Sequence, residues 1–187
     1  MVQMERIRQL AEEVLTFQGE SGQPDRWLWE RACRIARYTE SAFKLPEIQE
    51  KAPSADLFCL LTAVYFSDSG FRMYARVRGI SMTAATLEIR GRELRDFSVQ
   101  SLQEMESRME LEGKLDQVCR ILIESENRLT RLPEAQILSD VRGLDDIGNI
   151  GILQDVRRCL LQGKGPCSLL EGWDRKIEYR YWEARLK

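Results

Sequence analysis

Apolar residues recur at three- and four-residue steps along most of this chain, which is the spacing that amphipathic helices show. Residues 4–15 follow this pattern and predict an N-terminal helix over 1–18, which ends before a loop that contains Pro24. A second helix is expected to begin after Asp25, a favourable N-cap residue, and to stop at Pro46. The pattern therefore predicts helices from the start of the chain.

The run at 57–66 is apolar on nearly every side of a helix, which is typical of an element at the centre of a core. We expect Ser54 to cap this helix, because a serine hydroxyl accepts a hydrogen bond from the free backbone N–H groups at a helix start. Residues 71–94 have weak periodicity that Gly79 and Gly91 interrupt, so they predict a broken helix.

The second half of the chain predicts further helices. Residues 99–111 and 115–122 are expected to form a helical hairpin around Gly113, and another helical stretch should follow Pro133. The tail at 169–187 is rich in aromatic residues and predicts a last helix that packs on the rest of the domain.

No stretch alternates in polarity between turn residues, so no sheet is expected. A length of 187 residues with 43% apolar content suits one domain with a sizeable core. The sequence therefore predicts one all-α helical-bundle domain over 1–187.

The charge balance argues against polyanionic partners. Lys and Arg number 28 and Asp and Glu number 30, which leaves a net charge of -2 and no global field for nucleic acid or anionic membrane. Six arginines between 72 and 95 form a basic stretch that we interpret as a solvated face. No apolar run reaches a membrane-spanning length, and the first helix is too charged for a signal peptide, so we expect a cytoplasmic protein without a membrane partner.

The chain contains no histidine, which removes the usual general base at neutral pH and every histidine-containing metal motif. Its five cysteines are widely spaced and form no CxxC pair, so we expect reduced thiols, most of them in the core. Any chemistry would have to use carboxylates, lysine, tyrosine, serine or cysteine.

Three segments, in order, resemble the HD superfamily of metal-dependent phosphohydrolases. Residues 29–36 (WERACRIA) are similar to the opening His-x-x-Arg-Val-Ala helix, and residues 63–70 (AVYFSDSG) resemble the Ala-Ala-Leu-Leu-His-Asp-Ile-Gly element. Residues 137–148 (ILSDVRGLDDIG) look like the Asp-Ala-Asp-x-Leu-Asp-x-Ile-Gly segment. Residues 121–126 (ILIESE) are similar to a stretch that often carries another histidine in this family.

The resemblance implies an HD-type helical fold in which the metal site has lost its histidines. Members of the family hold a divalent metal with two imidazoles and two carboxylates. At the matching positions this chain has Arg31 and Ser67 in place of histidines, Arg142 in place of the middle aspartate, and a family arginine at Arg34. The remaining acids are Asp68, Asp140 and Asp145.

Arg31 brings a permanent positive charge to this expected pocket, since arginine is not deprotonated in proteins. We therefore expect its guanidinium to stand near the metal position and to pair with Asp68, with Asp140, or with both. Simpler roles stay open: Asp68 could cap a turn, Asp140 could begin a helix, and Arg31, Arg34 and Asp145 could face water.

The leading interpretation is a pseudoenzyme, a degenerate HD-type domain that binds or regulates, with a phosphorylated small molecule or nucleotide as a candidate ligand and no cofactor. One alternative is a divergent metal-dependent phosphohydrolase that uses Asp68, Asp140 and Glu124 or Glu126 around weakly bound Mg²⁺ or Mn²⁺. A second alternative is a scaffold protein, which would form a homo-oligomer and have no functional pocket.

Overall fold

The computed structural model describes residues 2–19 and 22–181, and these residues are mostly helical. The expected all-α class is therefore confirmed, whereas the last part of the predicted helix 169–187, with Trp182, lies outside the described residues. The elements in chain order are α1 (Val2–Leu15), β1 (Phe17–Gln18), β2 (Pro24–Asp25), α2 (Trp27–Ala42), α3 (Pro46–Lys51), α4 (Leu57–Phe66), α5 (Gly70–Arg78), α6 (Met82–Glu88), α7 (Gly91–Glu104), α8 (Glu106–Met109), α9 (Leu115–Glu124), α10 (Pro133–Asp145), α11 (Gly148–Leu161) and α12 (Pro166–Glu178).

The expectation that the chain has no sheet was wrong at one point, where β1 and β2 pair as a short antiparallel hairpin between α1 and α2. Phe17 lies opposite Asp25, and its side chain is buried in the core. Strands of two residues are too short to produce an alternating pattern, so they could not be predicted from the spacing of apolar residues.

Helix α4 forms the centre of the core, as its apolar run predicted, with every residue from Cys59 to Phe66 buried. It packs against α1, α2, α9 and α10. Its N-cap is Asp56, whose carboxylate accepts a hydrogen bond from the Cys59 amide at 3.1 Å. The prediction that Ser54 caps this helix was therefore wrong, because the helix begins two residues later than we expected.

The middle of the chain is a broken helix, as predicted. Gly79 and Gly91 mark two of its breaks with φ angles of 65° and 56°, which favour glycine. Helix α7 begins at Gly91 rather than near Val99, and it ends at Glu104 before the single turn of α8. Helix α7 packs against α9, in agreement with the expected pair.

The C-terminal helices α11 and α12 lie outside the main hydrophobic core. Helix α11 packs against α6, α10 and α12, whereas none of the residues of α12 is buried. The described part of the aromatic tail therefore lies against α11 instead of covering the core. No helix within 2–19 and 22–181 has an 18-residue stretch apolar enough to span a bilayer.

Candidate functional site

The candidate site is centred on the buried turn between α4 and α5. Ser67, Asp68 and Ser69 follow the buried end of α4, and the carboxylate of Asp68 is only 2% exposed. The Ser69 hydroxyl donates to the carbonyl oxygen of Phe66 at 2.8 Å, which holds the chain in this tight turn. A charged aspartate at such depth requires cationic partners.

Helix α7 fixes the same turn from its other side. The Gly70 amide donates to the Ser98 hydroxyl oxygen at 3.1 Å, and that oxygen lies 2.9 Å from the Ser67 carbonyl oxygen. A Cβ atom on Gly70 would lie 2.4 Å from the carbonyl oxygen of Leu94, so only glycine permits this approach. Asp68 is thereby held at one place between α4 and α7.

Three arginines surround the carboxylate of Asp68. Arg31 from α2 donates to Oδ2 through Nη1 at 3.0 Å, and Arg142 from α10 donates to Oδ1 through Nη1 at 3.0 Å. Nη1 of Arg95 from α7 lies 3.8 Å from Oδ1 and also donates to the carbonyl oxygen of Ser67. Both oxygens of Asp68 therefore face guanidinium groups.

A second carboxylate, that of Asp145 at the end of α10, is completely buried. Nε of Arg31 donates to its Oδ2 at 3.1 Å, and Nε of Arg34 donates to its Oδ1 at 3.0 Å. The amide of Gln154 in α11 donates to Oδ2 at 2.8 Å and to the main-chain oxygen of the same aspartate at 3.0 Å. Asp145 thus joins α2, α10 and α11.

Arg31 is the residue shared by the two buried carboxylates. Besides Asp68 and Asp145, it binds the carboxylate of Asp146 through Nη2 at 3.1 Å, and its own side chain is 12% exposed. All three nitrogens of this guanidinium therefore donate to carboxylates. We call the assembly the arginine–carboxylate cluster, defined as Arg31, Arg34, Arg95, Arg142, Asp68, Asp145, Asp146 and Glu126.

The charges of the cluster shift the protonation equilibria of its members. Burial favours the neutral form of Asp68, but the charges of Arg142, Arg31 and Arg95 outweigh it and hold the pKa of this carboxyl well below its usual range. Burial likewise opposes the charge of Arg31, but Asp68, Asp146 and Asp145 raise its pKa above the usual value. Both groups are therefore charged at neutral pH.

The pKa of Arg95 is lowered, whereas that of Arg31 is raised. The burial of Arg95, followed by the nearby charge of Arg142, lowers the pKa of its guanidinium. The carboxylate of Glu126, which accepts from Nε of Arg95 at 3.0 Å, partly offsets both effects. With four arginines facing four carboxylates, the cluster is balanced in charge.

The cluster contains four of the residues that the sequence singled out, namely Arg31, Arg34, Asp68 and Asp145. A fifth, Ser67, lies beside it. The expected pairing of Arg31 with Asp68 is present. The hydroxyl of Ser67, which the resemblance aligned with a histidine, accepts a hydrogen bond from Arg142 at 2.7 Å.

Asp140 is placed differently from what the resemblance implied. It is half-buried on α10, where Arg142 and Asp145 lie about 60° apart on one face while Asp140 lies about 140° around the helix from Asp145. Asp145 and its neighbour Asp146 are the acids of this segment that reach Arg31. The segment that the resemblance singled out therefore contacts Arg31 through Asp145, which was one of its candidate acids.

Three residues of the site were not singled out from the sequence, namely Arg95 and Asp146 of the cluster and Gln154, which binds Asp145. The prediction that all six arginines of the basic stretch face solvent was wrong for Arg95, which is 1% exposed. Its position three residues before Ser98 and seven before Leu102, both buried, was the signal that it shares their face of α7. Gln154 has no comparable signal, because it binds through a contact between two helices.

The residues present do not fit the divalent metal that the resemblance implies. Within the described part of the chain, no three side chains among His, Cys, Asp and Glu gather in a way that could hold a metal ion. The oxygens of Asp68 already face three guanidinium groups, and a dication beside them would meet strong repulsion. Fixed positive charge already neutralises the carboxylate of Asp68.

Thiol chemistry has no support in this site either. All five cysteines are free, and the pKa of Cys59 is raised to about 12, first by burial and then by the charge of Asp56. A thiol with a raised pKa is a poor nucleophile. Cys59 therefore serves as a small apolar residue of α4.

Searches of protein-family models, of curated proteins and of solved structures returned no match to this chain. Its function must therefore be inferred from the geometry and chemistry of its own residues.

Proposed function

We propose that this chain is a non-hydrolytic relative of the HD phosphohydrolases, a binding or regulatory domain in which Arg31 takes the place of the metal. The observation that carries the proposal is the position of the Arg31 guanidinium, which donates to Asp68, Asp145 and Asp146 at once. The family resemblance puts a metal at the same place, and a guanidinium cannot activate a water molecule as a metal ion does.

A pair of measurements tests the proposal. Untagged protein is analysed for bound metals by mass spectrometry, and it is incubated with phosphomonoesters, nucleotides and cyclic nucleotides in the presence of Mn²⁺, Mg²⁺ or Co²⁺. We expect no stoichiometric metal and no turnover above the buffer. Turnover that disappears in a folded Asp68→Asn variant, but persists in Asp96→Asn on the exposed side of α7, would contradict the proposal.

The enzyme alternative makes the opposite prediction, namely near-stoichiometric metal that is lost when Asp68 is replaced. Its other candidate ligands are engaged as well. Glu126 binds Arg95, and Glu124 accepts a hydrogen bond from Asn127 at 3.0 Å. These contacts favour the non-hydrolytic domain over the enzyme.

A recess of about 80 Å³ beside Arg31 supports the candidate phosphorylated ligand. Arg157, Arg158 and Gln154 also line it, so three arginine side chains border a space suited to one small anionic group. We expect inorganic phosphate and nucleoside monophosphates to raise the melting temperature of the protein, and Arg158→Gln to weaken this effect. Arg128→Gln, a change at an exposed arginine, serves as the control.

The scaffold alternative draws support from exposed apolar side chains on the last two helices. Leu153 and Leu160 of α11 and Leu170 of α12 are 53%, 69% and 59% exposed. Such a surface suits contact with a second copy of the chain. Light scattering tests this: a dimer that Leu160→Glu dissociates, and Leu129→Glu leaves intact, would favour the scaffold.

A further inference from the structure

Helices α11 and α12 form an antiparallel hairpin, joined by residues 162–165. The start of α11 at Gly148 lies near Ile177, which is close to the end of α12. The indole N–H of Trp173 donates to Asp155 at 3.0 Å and connects the two helices near the middle of their length. The hairpin packs on α6 and α10 through α11, so one of its sides remains open to solvent.

Apolar side chains form a row on the solvent side of α11. Ile152, Val156 and Leu160 follow one another at four-residue steps, so the row is about 12 Å long. Ile152 is 38% exposed, Leu160 is 69% exposed, and Leu153 beside them is 53% exposed. Polar residues are usual on the outer face of a helix, so this row indicates a surface that another molecule covers.

Helix α12 continues this apolar surface. Leu170 and Ile177 are seven residues apart, lie about 20° from each other around the helix, and are 59% and 74% exposed. Because α11 and α12 run in opposite directions, helical geometry places this pair on the same side of the hairpin as the row of α11. A pocket of about 470 Å³ lies between the helices, with Ile152 and Ile177 in its wall. We call this surface the α11–α12 groove, defined by Ile152, Val156, Leu160, Leu170 and Ile177.

The α12 edge of the groove is acidic. Glu171, Asp174 and Glu178 lie at three- and four-residue steps, within about 60° of one another around α12 and next to its two apolar residues. All three are exposed, and within the described part of the chain none of them forms an ion pair or a side-chain hydrogen bond. Unpaired acids beside an apolar groove favour a partner that brings both apolar and basic side chains.

A second copy of the chain does not match this edge. In a dimer with two-fold symmetry, α12 would meet either α12 or α11 of the other copy. The first arrangement would bring the acids of the two copies together, and like charges repel. In the second arrangement the acids would meet the outer edge of α11, where Arg157 already pairs with Asp25. The charges therefore favour a different molecule as the partner.

We propose that the α11–α12 groove binds a basic amphipathic helix of another protein. The apolar residues of such a helix recur at three- and four-residue steps, as the rows of the groove do, and its lysine or arginine residues face the acids of α12. The acids span seven residues, or about 10 Å, so two turns of the partner helix cover them. This site does not depend on the proposed function, because it contains no residue of the arginine–carboxylate cluster.

The test uses the full chain and a fluorescein-labelled peptide with three repeats of Leu-Ala-Gln-Leu-Lys-Gln-Lys, and it measures fluorescence anisotropy. The lysines flank the leucine face and prevent the peptide from pairing with itself. We expect saturable binding at one site per chain and a gain of helical circular dichroism on mixing, since such a short helix is marginal in water alone. The same peptide with glutamate in place of lysine should bind at least about tenfold more weakly.

A first variant tests the apolar contact. Leu170→Gln should raise the Kd about fivefold, which corresponds to about 1 kcal/mol of lost apolar contact. The control is Leu129→Gln, the same chemical change at a residue that is 88% exposed and lies before α10. We expect this control to change the Kd by less than about twofold.

A second set of variants tests the acidic edge. Neutralising Glu171, Asp174 and Glu178 together, as Glu171→Gln, Asp174→Asn and Glu178→Gln, should raise the Kd about tenfold at low salt. The control neutralises three exposed acids of α2 and α3 as Glu40→Gln, Glu47→Gln and Glu50→Gln, and it should change the Kd by less than about twofold. Both sets change the net charge equally, so the comparison isolates the position of the charges.

The proposal is contradicted by any of three results, once urea unfolding shows that the parent and the variants are folded. The first is the absence of saturable binding of the basic peptide to the parent protein. The second is binding that neither Leu170→Gln nor the neutralised edge weakens. The third is a dimer of the parent protein in light scattering that Leu170→Gln dissociates, because a second copy would then occupy the groove.

Discussion

At Arg31, three nitrogens of one guanidinium meet the carboxylates of Asp68, Asp145 and Asp146, while only 12% of the side chain remains exposed. Each of these charges was removed from water on folding, and each depends on the others for compensation. Replacing Arg31 therefore leaves uncompensated charge inside the protein. Loss of an exposed ion pair at the surface does not have this effect.

The variant Arg31→Ala should lower the free energy of unfolding by about 3–5 kcal/mol, because it leaves Asp68 and Asp145 buried with too little positive charge. Urea unfolding at neutral pH measures this loss. Arg26→Ala is the control, since Arg26 pairs with Glu12 where both side chains are more than 40% exposed, and such a pair contributes about 0–1 kcal/mol. Equal stability of Arg31→Ala and the parent would contradict the structural role of the cluster.

The lowered pKa of Asp68 predicts a loss of stability in acid. Its pKa in the folded protein lies below the unfolded value of about 3.9, so its contribution is present above about pH 4 and is lost as the pH falls further. Urea unfolding between pH 6 and pH 3 should show this slope in the parent and in Asp96→Asn. In Asp68→Asn the slope should be smaller; an unchanged slope would mean that other carboxyls cause the acid sensitivity.

At the scale of elements, hydrophobic spacing was a good guide to the helices and a poor guide to how they end. Helices α1 and α4 follow from the spacing of their apolar residues alone. The cap at Asp56, the early start of α7 at Gly91 and the small hairpin depend on single hydrogen bonds or on a positive φ angle. Such local features leave too few residues for a periodic signal to form.

The close approach of α5 to α7 predicts a size limit at Gly70. Gly70→Ala should destabilise the protein by about 1–3 kcal/mol, because its methyl group would overlap the backbone of Leu94 and Ser98. Gly172→Ala is the matched control, since within the described part of the chain nothing beyond its own stretch of helix lies within 4 Å of its added Cβ. Alanine there should stabilise α12 by up to about 1 kcal/mol. Urea unfolding of both variants measures the contrast, and equal effects would argue against tight packing at Gly70.

At the scale of the whole molecule, the cluster connects segments that are far apart in the chain. Arg31 lies 37 residues from Asp68 and 114 from Asp145, and its bonds join α2, the α4–α5 turn and α10. Helix α12, in contrast, packs on α11 and has none of its residues buried. The molecule therefore has a core whose distant segments are joined by ion pairs. It also has a peripheral helix, α12, which lines the pocket of about 470 Å³ next to α11.

This difference predicts unequal hydrogen exchange. Backbone amides of α12 should exchange much faster than those of α4, because a helix without buried residues can open without disturbing the core. Exchange followed by mass spectrometry, peptide by peptide, measures both helices in one experiment. Equal protection of α12 and α4 would mean that a second copy of the chain or a bound molecule covers α12 in solution.

Composition and the spacing of apolar residues were enough to predict the helical class, the central place of α4 and the lack of histidine chemistry. These properties depend on which residues are present and on interactions between residues three or four positions apart. The sequence also indicated that Arg31 and Asp68 belong together. The folded structure was needed to show that Asp145 and Asp146 meet Arg31 and that a pocket opens between α11 and α12. Those outcomes depend on which of several similar charged residues faces a distant helix, and local sequence contains no information about that choice.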